Sequence, residues 1–172
     1  MTMKKSASTM VAILAGALTA LGAVADDKKA GHDEAAGSAH MALTPKELVW
    51  GDAPPALPRG AKLAVIQGDP AAAGEVVTVR LKMPKGYTIP PHFHPTDEAV
   101  TVLSGSLSMG TGDALDRKAA KALGPGGWCL IPKGAHHYAF ATADTVVQVH
   151  LVGPFGITYV NPEDDPQARA TR

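Results

Sequence analysis

Four residues of this chain have the types and spacing to hold a metal ion. His92 and His94 lie two positions apart within Gly86-Tyr-Thr-Ile-Pro-Pro-His92-Phe-His94-Pro-Thr-Asp-Glu98. In an extended segment alternate side chains share a face, so the two imidazoles converge while Phe93 points the other way. Pro95 interrupts the segment, and Glu98 then begins a run in which Glu98, Val100 and Val102 share one face and Ala99, Thr101 and Leu103 the other. A carboxylate can thereby return to the same pocket. Downstream, Pro132-Lys133-Gly134 reads as a tight turn that delivers His137 onto a further strand. Three neutral imidazoles and one carboxylate suit one divalent transition metal ion: Fe, Mn, Co, Ni, Cu or Zn. An ion held this way, with a position open to water, dioxygen or a bidentate substrate, supports Lewis-acid or oxygen chemistry.

Other polar residues qualify less directly. His136 adjoins His137, and neighbouring strand residues face opposite ways, so His136 is expected outside or at the rim. His150 lies in Val146-Val-Gln-Val-His150-Leu, where it shares a face with Gln148. If that face turns inward, His150 becomes the candidate catalytic residue, as a general base or a substrate-orienting group. Arg80 alternates with Thr78 and Lys82 against Val77, Val79, Leu81 and Met83, which places it outside. Tyr87, Phe93, Trp128 and Tyr138 flank these segments as candidate pocket walls. Cys129, the single cysteine, alternates with Ile131 and reads as a buried, inert thiol.

These residues need strands to position them, and the sequence supplies short apolar or alternating runs punctuated by Gly and Pro. Strands are expected over 62–66, 75–83, 98–103, 106–109, 128–131, 137–141, 145–151 and 157–160. That pattern indicates an all-β sandwich or barrel. A helix is expected only over 114–123 (ALDRKAAKAL), stopped by Gly124-Pro125-Gly126-Gly127.

Taken together, the chain resembles a cupin. The family's first motif, Gly-x5-His-x-His-x3-Glu-x6-Gly, is met by Gly86, His92, His94, Glu98 and Gly105. The second, Gly-x5-Pro-x-Gly-x2-His-x3-Asn, is met by Gly126, Pro132, Gly134 and His137, with Ala141 in place of the final Asn. The resemblance implies a single-domain, cupin-type antiparallel jelly-roll β-barrel with the metal inside, held by His92, His94, Glu98 and His137, and pairing as a homodimer. It implies a small-molecule metalloenzyme, dioxygenase-like as the leading form, with decarboxylation and isomerisation sharing the same ligands. The alternative is a non-catalytic binding module for a sugar, an organic acid or a metal ion.

Length and charge bound the rest. The 172 residues amount to about one domain, and 16 basic residues balance 16 acidic ones. No basic field exists for nucleic acid or anionic lipid, so the expected partner is a small molecule. One cysteine excludes an intramolecular disulfide. Lys4 and Lys5, an apolar centre from Val11 to Leu21 and Ala23-Val24-Ala25 read as a signal peptide over 1–25. A flexible leader is expected over 26–42, containing His32 and His40, then the cupin domain over 43–162 and a solvated tail over 163–172. The mature protein is expected to be exported, periplasmic or extracellular, with no membrane association.

Overall fold

The computed structural model describes residues 41–170. The expected signal peptide, and the leader through His40, lie outside them. The strands in chain order are β1 (Gly51–Asp52), β2 (Lys62–Gln67), β3 (Val76–Met83), β4 (Thr88–Phe93), β5 (Glu98–Ser104), β6 (Leu107–Thr111), β7 (Lys121–Leu123), β8 (Trp128–Ile131), β9 (His137–Ala141), β10 (Thr145–Val152) and β11 (Thr158–Tyr159). A 3-10 turn (Pro162–Asp164) and a short helix α1 (Pro166–Ala170) follow. All ladders are antiparallel, in two sheets of order β1-β2-β3-β10-β5-β8 and β11-β4-β9-β6-β7. The arrangement is a jelly roll.

Period-two patterning decides which face each strand buries. Val77, Val79, Leu81 and Met83 of β3 and Val147, Val149 and Leu151 of β10 are buried in one core, which Val100 and Val102 of β5 join. Each such side chain contributes roughly 1.5–3 kcal/mol by leaving water. The same pleat sends the alternate positions outward. There His150 sits opposite Thr78 and Gln148 opposite Arg80.

Two local departures from propensity matter for the site. β4 contains Pro90 and Pro91, which cannot donate to a ladder, and its pairing with β9 shifts register between Ile89 and His92. That irregularity seats the first histidine. The helix expected over 114–123 does not form: Lys121–Leu123 is strand β7, paired with β6. Helix preference there is worth only about 0.7 kcal/mol per residue at most. Against it stand the β6 ladder and Tyr138, whose hydroxyl donates to the Asp116 carbonyl at 2.7 Å beneath this segment. Asp116 Oδ1 accepts from the amides of Lys118 and Ala119, and the chain makes a turn and stops.

Between β1 and β2 the chain dips into the core at Leu57, which is buried. Two tyrosine hydroxyls hold it there. Tyr87 donates to the Pro58 carbonyl at 2.6 Å and Tyr159 to the Ala56 carbonyl at 2.8 Å.

Candidate metal centre

His92 ends its strand one residue before the close of β4, His94 follows that strand, His137 opens β9 and Glu98 opens β5. His92 and His137 are register partners, with ring centroids 4.1 Å apart. His94 stands 5.0 Å from the first ring and 5.2 Å from the second. One nitrogen from each imidazole lies within 4.8 Å of the others, and all three rings are buried. The turns that carry them are tied together. Gly134, at φ +74°, donates its amide to the His94 carbonyl at 3.0 Å, and the Lys133 amide reaches Asp97 Oδ1 at 2.7 Å.

The hydrogen bonds fix which nitrogen faces the pocket. His92 Nδ1 lies 2.7 Å from the Pro90 carbonyl, His94 Nδ1 2.6 Å from that of Gly156, and His137 Nδ1 3.0 Å from that of Ala135. A carbonyl oxygen only accepts, so each Nδ1 carries the proton and each Nε2 presents a lone pair. Glu98, its side chain 12% exposed, brings Oε2 to 3.5 Å from His94 Nε2 and 3.9 Å from His137 Nε2. His94 Nε2 is buried with no hydrogen-bond partner. An orphaned lone pair facing a carboxylate calls for a cation between them, and the set of three imidazoles and one carboxylate fits a transition metal ion.

Electrostatics agree with that use. Burial lowers the pKa of His92, His94 and His137, and at His92 the other two rings add to the effect. The imidazoles are therefore neutral. Burial pushes Glu98 up to about 7, against the attraction of His137. Cys129 is raised by burial and then by Glu98, which keeps the thiol protonated.

His150 is not brought to the site. Val147, Val149 and Leu151 occupy the inner face of β10, so His150 is exposed outside, its Nδ1 3.0 Å from Thr78 Oγ1 and its Nε2 3.0 Å from Gln148 Nε2. Arg80 is outside too, donating through Nε to Gln148 Oε1 at 3.0 Å. His136 leaves the pocket and stacks on Phe93 at 4.9 Å, beside Asp113 Oδ1 at 2.6 Å. Neither Tyr87, Phe93, Trp128 nor Tyr138 lines the central cavity. That role falls to Leu57, Phe155 and Ile157 with the inward residues of the strands. Phe155 precedes the strand expected over 157–160, and contacts distant in sequence fix its place: its ring lies 5.7 Å from that of His94 and its amide donates to the Pro70 carbonyl at 2.7 Å. Among the described residues, His92, His94, Glu98 and His137 are the only polar ones that line the cavity.

The Cupin domain family matches residues 79–153, which hold all four of these residues and the strands that carry them. Over residues 79–153 the chain matches the cupin family. Solved structures agree on the fold. The chain matches KdgF from Halomonas sp. with a TM-score of 0.51 at 20% identity, over 66% of this chain and 93% of that one. It matches the polyketide cyclase RemF from Streptomyces resistomycificus with a TM-score of 0.56 at 17% identity, over 77% and 94%. A putative acetylacetone dioxygenase from Methylibium petroleiphilum PM1 gives 0.56 at 16%, over 74% and 85%. No curated protein matches the sequence.

Proposed function

We propose that this cupin is an exported, metal-dependent protein acting on a small molecule, with dioxygenase-like chemistry at an ion held by His92, His94, Glu98 and His137. The observation that carries the reading is the anchoring of three Nδ1–H groups on backbone carbonyls, which leaves three Nε2 lone pairs converging beside one carboxylate. A divalent transition metal bound there supplies Lewis acidity and, where the ion is redox-active, electron transfer to or from dioxygen. The chain's own residues do the rest. The carbonyls of Pro90, Gly156 and Ala135 hold the imidazoles in one tautomer and one orientation, and the apolar wall excludes water from the reacting centre. Glu98 provides the compensating negative charge.

Support for a small-molecule substrate comes from the apolar-lined cavity beside the four candidate ligands and from structural neighbours named as a cyclase and a putative dioxygenase. Support for export comes from the first 25 residues, and for a homodimer from the exposed Leu103, Trp128 and Leu130 on the outer face of β5 and β8. A second reading, a non-catalytic binding module, is favoured by one observation: among the described residues the cavity presents no acid or base beyond the four candidate ligands.

Elemental analysis of the exported protein beside His92→Ala and His137→Ala variants tests the proposal. Near-stoichiometric metal lost in both variants supports it, and equal metal in all three samples removes it. Oxygen uptake with product then selects the enzyme, whereas capture of ligand without product under air selects the binding module.

A further inference from the structure

We infer that the site selects a compact, largely apolar molecule that carries one negative charge, as an enolised β-dicarbonyl does, and that it rejects polyols and dianions. The inference rests on the metal site proposed above. It starts from what the cavity wall lacks: apart from the four candidate ligands, every lining residue is aliphatic, Met or Phe. A sugar buried there would leave its hydroxyls without partners, each costing roughly tenfold or more in affinity.

Nearby polar groups are already committed. The hydroxyls of Tyr87, Tyr159 and Tyr138 donate to the carbonyls of Pro58, Ala56 and Asp116. All three imidazole Nδ1–H groups are bonded to carbonyls. The cations of β3 face away, Arg80 toward Gln148 and Lys82 over the ring of Trp50 at 3.9 Å. An organic acid therefore meets no arginine or lysine in the cavity.

Charge balance then sets the ligand's valence. Neutral imidazoles, one Glu98 carboxylate and a divalent ion would sum to one positive charge beside an apolar wall. A monoanion would cancel it, while a dianion would leave an uncompensated negative charge against a wall that cannot solvate it. The apolar remainder of the ligand packs against Leu57, Met109, Val149 and Phe155.

The test uses the full mature protein loaded with Co(II), titrated with acetylacetone, with malonate and with glucose. Malonate keeps the skeleton of acetylacetone and replaces each methyl by an oxygen anion. Binding is read from the visible cobalt spectrum and by calorimetry, with cobalt content measured before and after. The expected result is a spectral change with acetylacetone at a Kd at least roughly 100-fold below those of malonate and glucose, with cobalt retained. Cobalt held by the wild type and lost in His92→Ala, but bound equally well or better by malonate or glucose, overturns this inference and leaves the metal site standing. Failure to hold cobalt, or equal cobalt in His92→Ala, overturns both. Met109→Lys, which adds a cation to the wall, is expected to shift preference toward malonate.

Discussion

His94 and Gly156 are joined across the molecule by a 2.6 Å contact from Nδ1 to the backbone carbonyl, and this one bond orients the imidazole whose Nε2 faces Glu98. The Gly156 position has little slack, since a Cβ there would meet the Pro95 ring at 3.1 Å. Gly156→Ala is expected to shift that carbonyl and weaken metal binding roughly tenfold or more, with the fold intact. Metal titration followed by calorimetry, beside circular dichroism, checks it. Unchanged affinity in a folded variant would remove the orienting role.

The same groups make the metal-free protein sensitive to pH. The folded pKa values of His92, His94 and His137 lie below the ordinary 6.5, so the unfolded chain binds more protons and stability drains away as pH falls below about 6.5. Glu98 acts in the opposite sense. Raised from 4.5 to about 7, it contributes stability that is full below 4.5 and lost as pH rises through 7. Three imidazoles outweigh one carboxyl, so the melting temperature of metal-free protein should rise from pH 5 to 6.5 and level off by pH 8. Glu98→Gln, which removes the opposing carboxyl, should steepen the rise between pH 5 and 6.5. A higher melting temperature at pH 5 than at 6.5 would contradict the assignment.

Gly110 and Tyr138 are register partners on β6 and β9, and a Cβ on Gly110 would collide with the Tyr138 ring. Gly110→Ala should cost about 1–3 kcal/mol of stability by overpacking. Metal content should not change, because the Tyr138 ring lies on the side of β9 opposite His137 and Ala139. Chemical denaturation and elemental analysis of one preparation separate the two effects.

Trp128 is 57% exposed on edge strand β8, beside Leu130 at 51%. If the proposed homodimer uses this face, Trp128→Asp should yield monomers by light scattering while cobalt binding persists. Dimers that survive the substitution would move the interface elsewhere.

Much of this was legible in the sequence because strand periodicity and metal-ligand spacing are local signals. The alternation in Val76–Met83 and Glu98–Ser104 assigns inner and outer faces correctly, and the spacing of His92, His94, Glu98 and His137 brings them to one point. Other features depend on partners distant in sequence. The 114–123 segment carries helix-forming residues, yet the unpaired edge of β6 and the Tyr138 ring decide its fate. For His150, alternation alone separates Gln148 and His150 from the valines without saying which set faces in. The buried run Val147, Val149 and Leu151 settles it. Phe155 and Gly156 lie in an aperiodic loop whose role is fixed only by where β11 places it.

The four candidate ligands do not come from one sheet. His92 and His137 belong to the five-stranded sheet and Glu98 to the six-stranded one. Any ion bound by all four would therefore be a rivet through the two layers, performing in a chain with a single cysteine the cross-linking that a disulfide performs elsewhere. Holding at 100 times the dissociation constant, it would add about 2.7 kcal/mol to the folded state. Durability and occupancy of the site would then be one quantity, so a chelator would loosen the protein's architecture along with its chemistry.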